Sequence, residues 1–215
     1  MGRIGYRNHW LSSLAQVSTY TKSLFAAPAT EPVSRTEAKL HCRVDHTEDD
    51  TYIDGLIVAA REYVENRTGL SLITQTWNFL FEEWPDDDEF HLGRGPINSI
   101  THVKYTDVDG TVHTWANTNY VLDGLSNPPE LCLARYAYWP LEILQEGRPI
   151  EIRAICGYGA ADDVPTSIKQ AMLLIIETMY RNRGEVVIGN NASADSKRLA
   201  FGVDALLANY VQDFA

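Results

Sequence analysis

The hydrophobic rhythm of the chain changes twice, and that change limits the folds open to it. From Ile53 to Val64 the apolar side chains (Ile53, Leu56, Ile57, Ala60, Val64) recur every three or four residues. From Ile73 to Phe81 (Ile73, Gln75, Trp77, Phe79, Phe81) the period is two, and from Ile168 to Met179 it returns to three and four. The first spacing lays one stripe along a helix and the second lays one face along a strand, so neither an all-helical nor an all-β fold accommodates both.

Local signals mark the element ends. Ser34-Arg35-Thr36-Glu37 is a capping box that predicts a short helix to about residue 41 or 42. The acids Glu48, Asp49 and Asp50 precede the second helix, where they favour its positive end, and Gly69 closes it. Strands are predicted at about 99–106 and 111–116, joined by the Asp109-Gly110 turn, and near 119–122, 130–136 and 149–156. Asp163 is expected to cap the next helix, with Pro165 in its first turn. Residues 189–196 contain no large apolar group and read as a flexible linker. Beyond them Val203, Leu206, Leu207, Tyr210 and Val211 regain helical spacing. A helix that short is unstable alone and must dock, on its own domain or on another chain.

The expected fold is therefore α+β: N-terminal helices, a central antiparallel β region, a long helix and a C-terminal docking helix. Residues 1–30 read as a leader or arm, 31–188 as the core, and 189–215 as the linker with the docking helix.

Charge and motif content narrow the function. The net charge is −11, and residues 1–30 hold Arg3, Arg7 and Lys22 with no acid, so the body is strongly acidic. Such a surface is poorly suited to gripping DNA phosphates. No membrane span or signal peptide is expected. Cys42, Cys132 and Cys156 read as free thiols. The tract Glu82-Glu83-Trp84-Pro85-Asp86-Asp87-Asp88-Glu89 reads as a solvated turn, and Tyr105 to Gly110 lacks the ligands of a calcium loop. The six histidines include no HExxH. The expectation is no catalytic residues, no cofactor, no metal and no enzyme.

Several ordered segments carry a family likeness. They are Glu31 to Lys39 with Arg43-Val44-Asp45, Ile53 to Arg61, Thr68-Gly69 leading to Gln75-Thr76-Trp77, and Gly157-Tyr158-Gly159-Ala160 before Val164-Pro165. Tyr180-Arg181-Asn182-Arg183 and Phe201-Gly202-Val203-Asp204-Ala205-Leu206-Leu207 complete the set. Together they resemble phage head–tail connector (adaptor) proteins, including those of gene transfer agents. The resemblance implies a virion protein made in the bacterial cytoplasm, with copies forming a ring, expected to be a dodecamer, beneath a portal protein. It also implies a tail-side stopper or tail component as neighbour, and DNA passing through the lumen without sequence-specific binding. It directs the C-terminal segment outward, so Phe201, Val203, Leu206, Leu207, Tyr210 and Val211 are the expected contacts with the portal or a neighbouring subunit. The rival reading is a non-enzymatic binding module whose β region presents exposed aromatics such as Trp84 and Trp115. A hydrolase with a spatially assembled site is the third.

Overall fold

The structure, a computed structural model, describes residues 20–124, 126–183 and 202–212. Helix α1 (Arg35–Cys42) starts at the capping box read from the sequence: the Glu37 amide donates to Ser34 Oγ, and the Ser34 amide donates to the Glu37 carboxylate. Helix α2 (Asp50–Thr68) ends at Gly69, whose φ of 75° lets its amide donate to the Glu65 carbonyl. Helix α3 (Thr166–Arg181) is the third. Asp163 does not cap it. Its carboxylate instead accepts from the Ala160 amide and closes the short turn before the helix.

Among the described residues, eight strands lie between and before these helices: β1 (Tyr20–Ala26), β2 (Gln75–Phe81), β3 (Glu89–His91), β4 (Ile97–Thr106), β5 (Val112–Trp115), β6 (Tyr120–Asp123), β7 (Glu130–Leu133) and β8 (Ile150–Cys156). All the strand pairings are antiparallel, in a five-stranded sheet of order β1-β2-β8-β4-β5 and a three-stranded sheet of order β3-β7-β6. The α+β expectation holds. Within the segment 1–30 read as a leader or arm, residues 20–26 form an edge strand of the main sheet.

Burial follows the pleat. In β8 the residues Ile150, Ile152, Ala154 and Cys156 are buried while those between them are half-exposed. Phe79 and Phe81 of β2 sit opposite Ile152 and Ile150, so both strands feed one face. The other face is polar, with Arg153 donating to Asn78 at 2.8 Å and Glu151 meeting His102 at 2.7 Å.

The interior divides into two cores. One holds α1, α2 and α3 together with Leu70, Leu72 and Ile73. The other is built by the strands around Phe79, Phe81, Phe90, Leu131, Ile150 and Ile152. A buried polar cluster lies where the C-terminal end of α2 meets the start of β2. The Glu65 carboxylate accepts from the Leu72 amide (2.9 Å), Gln75 Nε2 (2.7 Å), Arg61 (3.0 Å) and Arg94 (3.1 Å). Arg94 also donates to the Glu65 carbonyl and to Ser71 Oγ, and lies over the Trp77 ring. Each member satisfies the others, the condition under which buried charge is tolerated.

Candidate assembly surface

The C-terminal segment was expected to face another chain. In the structure, residues 202–207 form a helical turn that packs on the chain's own helical core. Val203 and Leu207 are buried there, 5% and 1% exposed, so in this conformation both face the chain's own core. The reason is spacing: four residues apart on one helical face, both reach the apolar surface of the helical core. Leu206 and Tyr210 are half-buried against the same core, Val211 stays exposed, and Phe201 lies outside the described residues. The linker reading of 189–196 also falls outside them.

Polar contacts fix the seat. Ser167 Oγ donates to the Tyr210 hydroxyl at 2.9 Å, Arg67 reaches Asp204 at 3.3 Å, and the Gln212 amide donates to the Thr68 carbonyl at 2.9 Å. The Gln212 side chain runs close against Gly95, where a β-carbon would come within 2.3 Å of Nε2. Leu70, Pro96, Gly124, Tyr158, Tyr210 and Gln212 line a cleft beside this seat.

The two tryptophans named for a β-region recognition surface are turned inward. Trp115 is buried. Trp84 is half-buried and stacks on Trp139 at 5.3 Å, with Phe90, Tyr105 and Trp115 within 6 Å of its ring centroid. The acidic tract is thus pinned through Trp84, a role its surrounding acids concealed.

All three thiols are pushed up from the ordinary cysteine value, away from the thiolate form. Burial pushes Cys156 up to about 12. Cys42 and Cys132 are also raised, by burial and then by nearby carboxylates. Glu89, Glu130 and Cys132 bring ligand atoms within 4.8 Å of one another. The β3–β7 register places His91 beside them, opposite Glu130. This group lies on a partly exposed strand face.

The described histidines pair with acids: His41 with Glu177, His46 with Glu48, His91 with Glu130, His102 with Glu151 and His113 with Asp107. Among the described residues no helix is long and apolar enough to cross a membrane.

The large apolar side chains that stay exposed are unevenly placed. Tyr136, Tyr138, Leu141 and Ile143 project from the segment between β7 and β8. Val108 and Val112 stand at the β4–β5 hairpin, and Leu24 and Phe25 on β1. Large exposed apolar groups gathered in patches mark contact surfaces.

Comparison with known proteins identifies the segment that includes the buried polar cluster's charged residues. Residues 36–110 match the phage gp6-like head-tail connector family. The connector likeness read from the sequence stands, and the fold agrees over most of the chain. A chain of the neck of an empty GTA particle, computed with C6 symmetry, superposes with a TM-score of 0.74 at 20% identity, covering 91% of this chain and 97% of that one. A chain of the virion of a native gene transfer agent particle gives 0.73 at 21% identity, covering 90% and 96%. A chain of the neck of a native GTA particle, computed with C12 symmetry, gives 0.65 at 22%, covering 89% and 97%. No curated protein matches. The fold shared with these chains therefore extends well beyond the 36–110 segment.

Proposed function

We propose that this chain is a structural head–tail connector subunit of a phage or gene transfer agent particle, working as a ring in the neck. The observation that carries the reading is the shared fold over about nine-tenths of the chain with chains from particle necks, joined to the connector-family match at 36–110. A ring of twelve copies, a portal on one side, a stopper or tail component on the other and DNA in the lumen are the finer parts of this proposal.

The acidic composition suits a wall past which DNA slides, since few cations are available to hold phosphate. In this reading the portal contact uses the outward side of the C-terminal segment, Val211 with the accessible parts of Leu206 and Tyr210. The function proposed is mechanical and needs no reacting centre.

The test is assembly of the full-length chain, alone and mixed with the portal of its own particle, followed by native mass spectrometry and negative-stain microscopy. Rings of cyclic symmetry are expected. A chain that stays monomeric at high concentration and beside its portal would refute the proposal.

A further inference from the structure

Two of the exposed apolar patches sit at diagonally opposite corners of the five-stranded sheet. One is on edge strand β1, which among the described residues pairs only with β2 and carries Leu24 and Phe25 (57% exposed). The other gathers around the tip of the β4–β5 hairpin. There the Asp107–Leu144 bridge and the bond from the Val108 amide to the Ile143 carbonyl (2.8 Å) hold residues 141–145 beside Val108. Leu141 is 97% exposed and Tyr138 81%. Tyr136 holds a left-handed φ of 68°, an unfavourable state for a tyrosine, with Arg135 over its ring at 4.8 Å.

The register gives the separation. Leu24 pairs with Trp77, Trp77 with Ala154, and Ala154 with Ile100, so Leu24 and Ile100 lie at one level, three strand spacings apart. That is about 14 Å across, and the run from Ile100 along β4 and past its end at Thr106 to Val108 adds up to about 26 Å. The corners are therefore roughly 30 Å apart and cannot cover each other within one chain.

We infer that these corners are the two halves of one head-to-tail contact, the hairpin corner of one copy seating on the β1 corner of the next. The inference rests on the ring reading and deepens it. A closed ring of more than two copies needs two different patches per copy, facing different ways. An isologous contact would need only one. The hairpin corner is large enough for its half: two tyrosines at about 150–250 Å² each, with Leu141, Ile143, Val108 and Val112, supply on the order of the 800 Å² per partner of a standard interface, and Leu24 and Phe25 are the apolar part of the face it meets. Seating also covers the edge of β1 that no other described strand pairs, and such an edge is a template for unspecific strand pairing.

Complementation tests the pairing. The double variant Leu141→Asp/Ile143→Asp spoils the hairpin corner, and Phe25→Asp spoils the β1 corner; these exposed positions leave the fold intact, checked by circular dichroism. Each variant alone should assemble at least about 30-fold more weakly than wild type. An equimolar mixture should give a heterodimer and nothing larger, because one sound corner of each variant meets the other's and both outer corners are dead. A photo-crosslinker replacing Tyr138 in otherwise unaltered chain should produce a ladder of oligomers mapped to residues 20–26. Rings from either variant at wild-type concentration, or crosslinks from position 138 into another protein, would overturn this contact while leaving the ring standing. Absence of rings in the wild type would instead remove the ring reading, and this contact with it.

Discussion

Replacing Glu65 by Gln keeps the shape of the side chain and removes its charge at the joint between the two cores. The wild-type carboxylate is 3% exposed and accepts bonds from the Leu72 amide, Gln75, Arg61 and Arg94. In Glu65→Gln one acceptor oxygen becomes an amide donor aimed at groups that are themselves donors, and two guanidiniums lose their shared anion. Breaking a buried pair while leaving its cations in place costs about 3–5 kcal/mol. At about 2–4 °C per kcal/mol for a chain of this size, the midpoint should fall by about 6–20 °C. The assay is thermal and urea unfolding followed by far-ultraviolet circular dichroism. Glu62→Gln serves as the control, since Glu62 is 61% exposed and only 3.9 Å from Arg61, a contact worth at most about 1 kcal/mol. If Glu65→Gln unfolded within about 2 °C of that control, the cluster would be ornamental and the account of the joint wrong.

Other substitutions probe the remaining features. Leu207→Ala should cost about 2–5 kcal/mol, less if the segment simply lifts away; hydrogen exchange should then show residues 202–212 losing protection before α2 and α3. Gly157→Ala should destabilise strongly, because φ is 123° and the new β-carbon would lie 2.4 Å from the Ile73 carbonyl oxygen; failure to shift the urea midpoint would refute this. Asp49, bonded first by Arg183 and then by Tyr180, is held down to about 2 from an ordinary 3.8. The folded value is the lower one, so its stabilisation is complete above about pH 4 and disappears as pH falls through about 2. The acid-induced loss of melting temperature across that window should be shallower in Asp49→Asn than in wild type.

The parts of the fold legible in the sequence are those with local causes. The capping box at Ser34, the left-handed cap at Gly69, the stripe of α2 and the Asp109-Gly110 hairpin each depend on a few adjacent residues, and each lies where the chain's own pattern puts it. Strand β1 was hidden because most of Tyr20–Ala26 is exposed, leaving no alternation to read; its strand conformation comes from pairing with β2, some 55 residues away. Strand β3 is three residues at the end of an acidic tract, too short to show a period. The stripe of the last helix was visible, but a stripe does not name its partner, and Val203 and Leu207 found theirs at home. Arg61 and Glu65 stand one helical turn apart, as an ordinary surface pair would, and only the arrival of Arg94 and Gln75 makes the pair a buried cluster. The candidate contact corners were the least legible, since exposure is known only once everything else has packed.

The division of the interior has a consequence for how such a chain can change over generations. The helical and strand cores are separate apolar clusters, so a substitution that reshapes one is largely unfelt in the other, and distant changes of this kind tend to add without interacting. Either half can drift or be remodelled to suit a new neighbour while its companion stays fixed. The few charged residues between them enjoy no such latitude, because a change in one strands the rest.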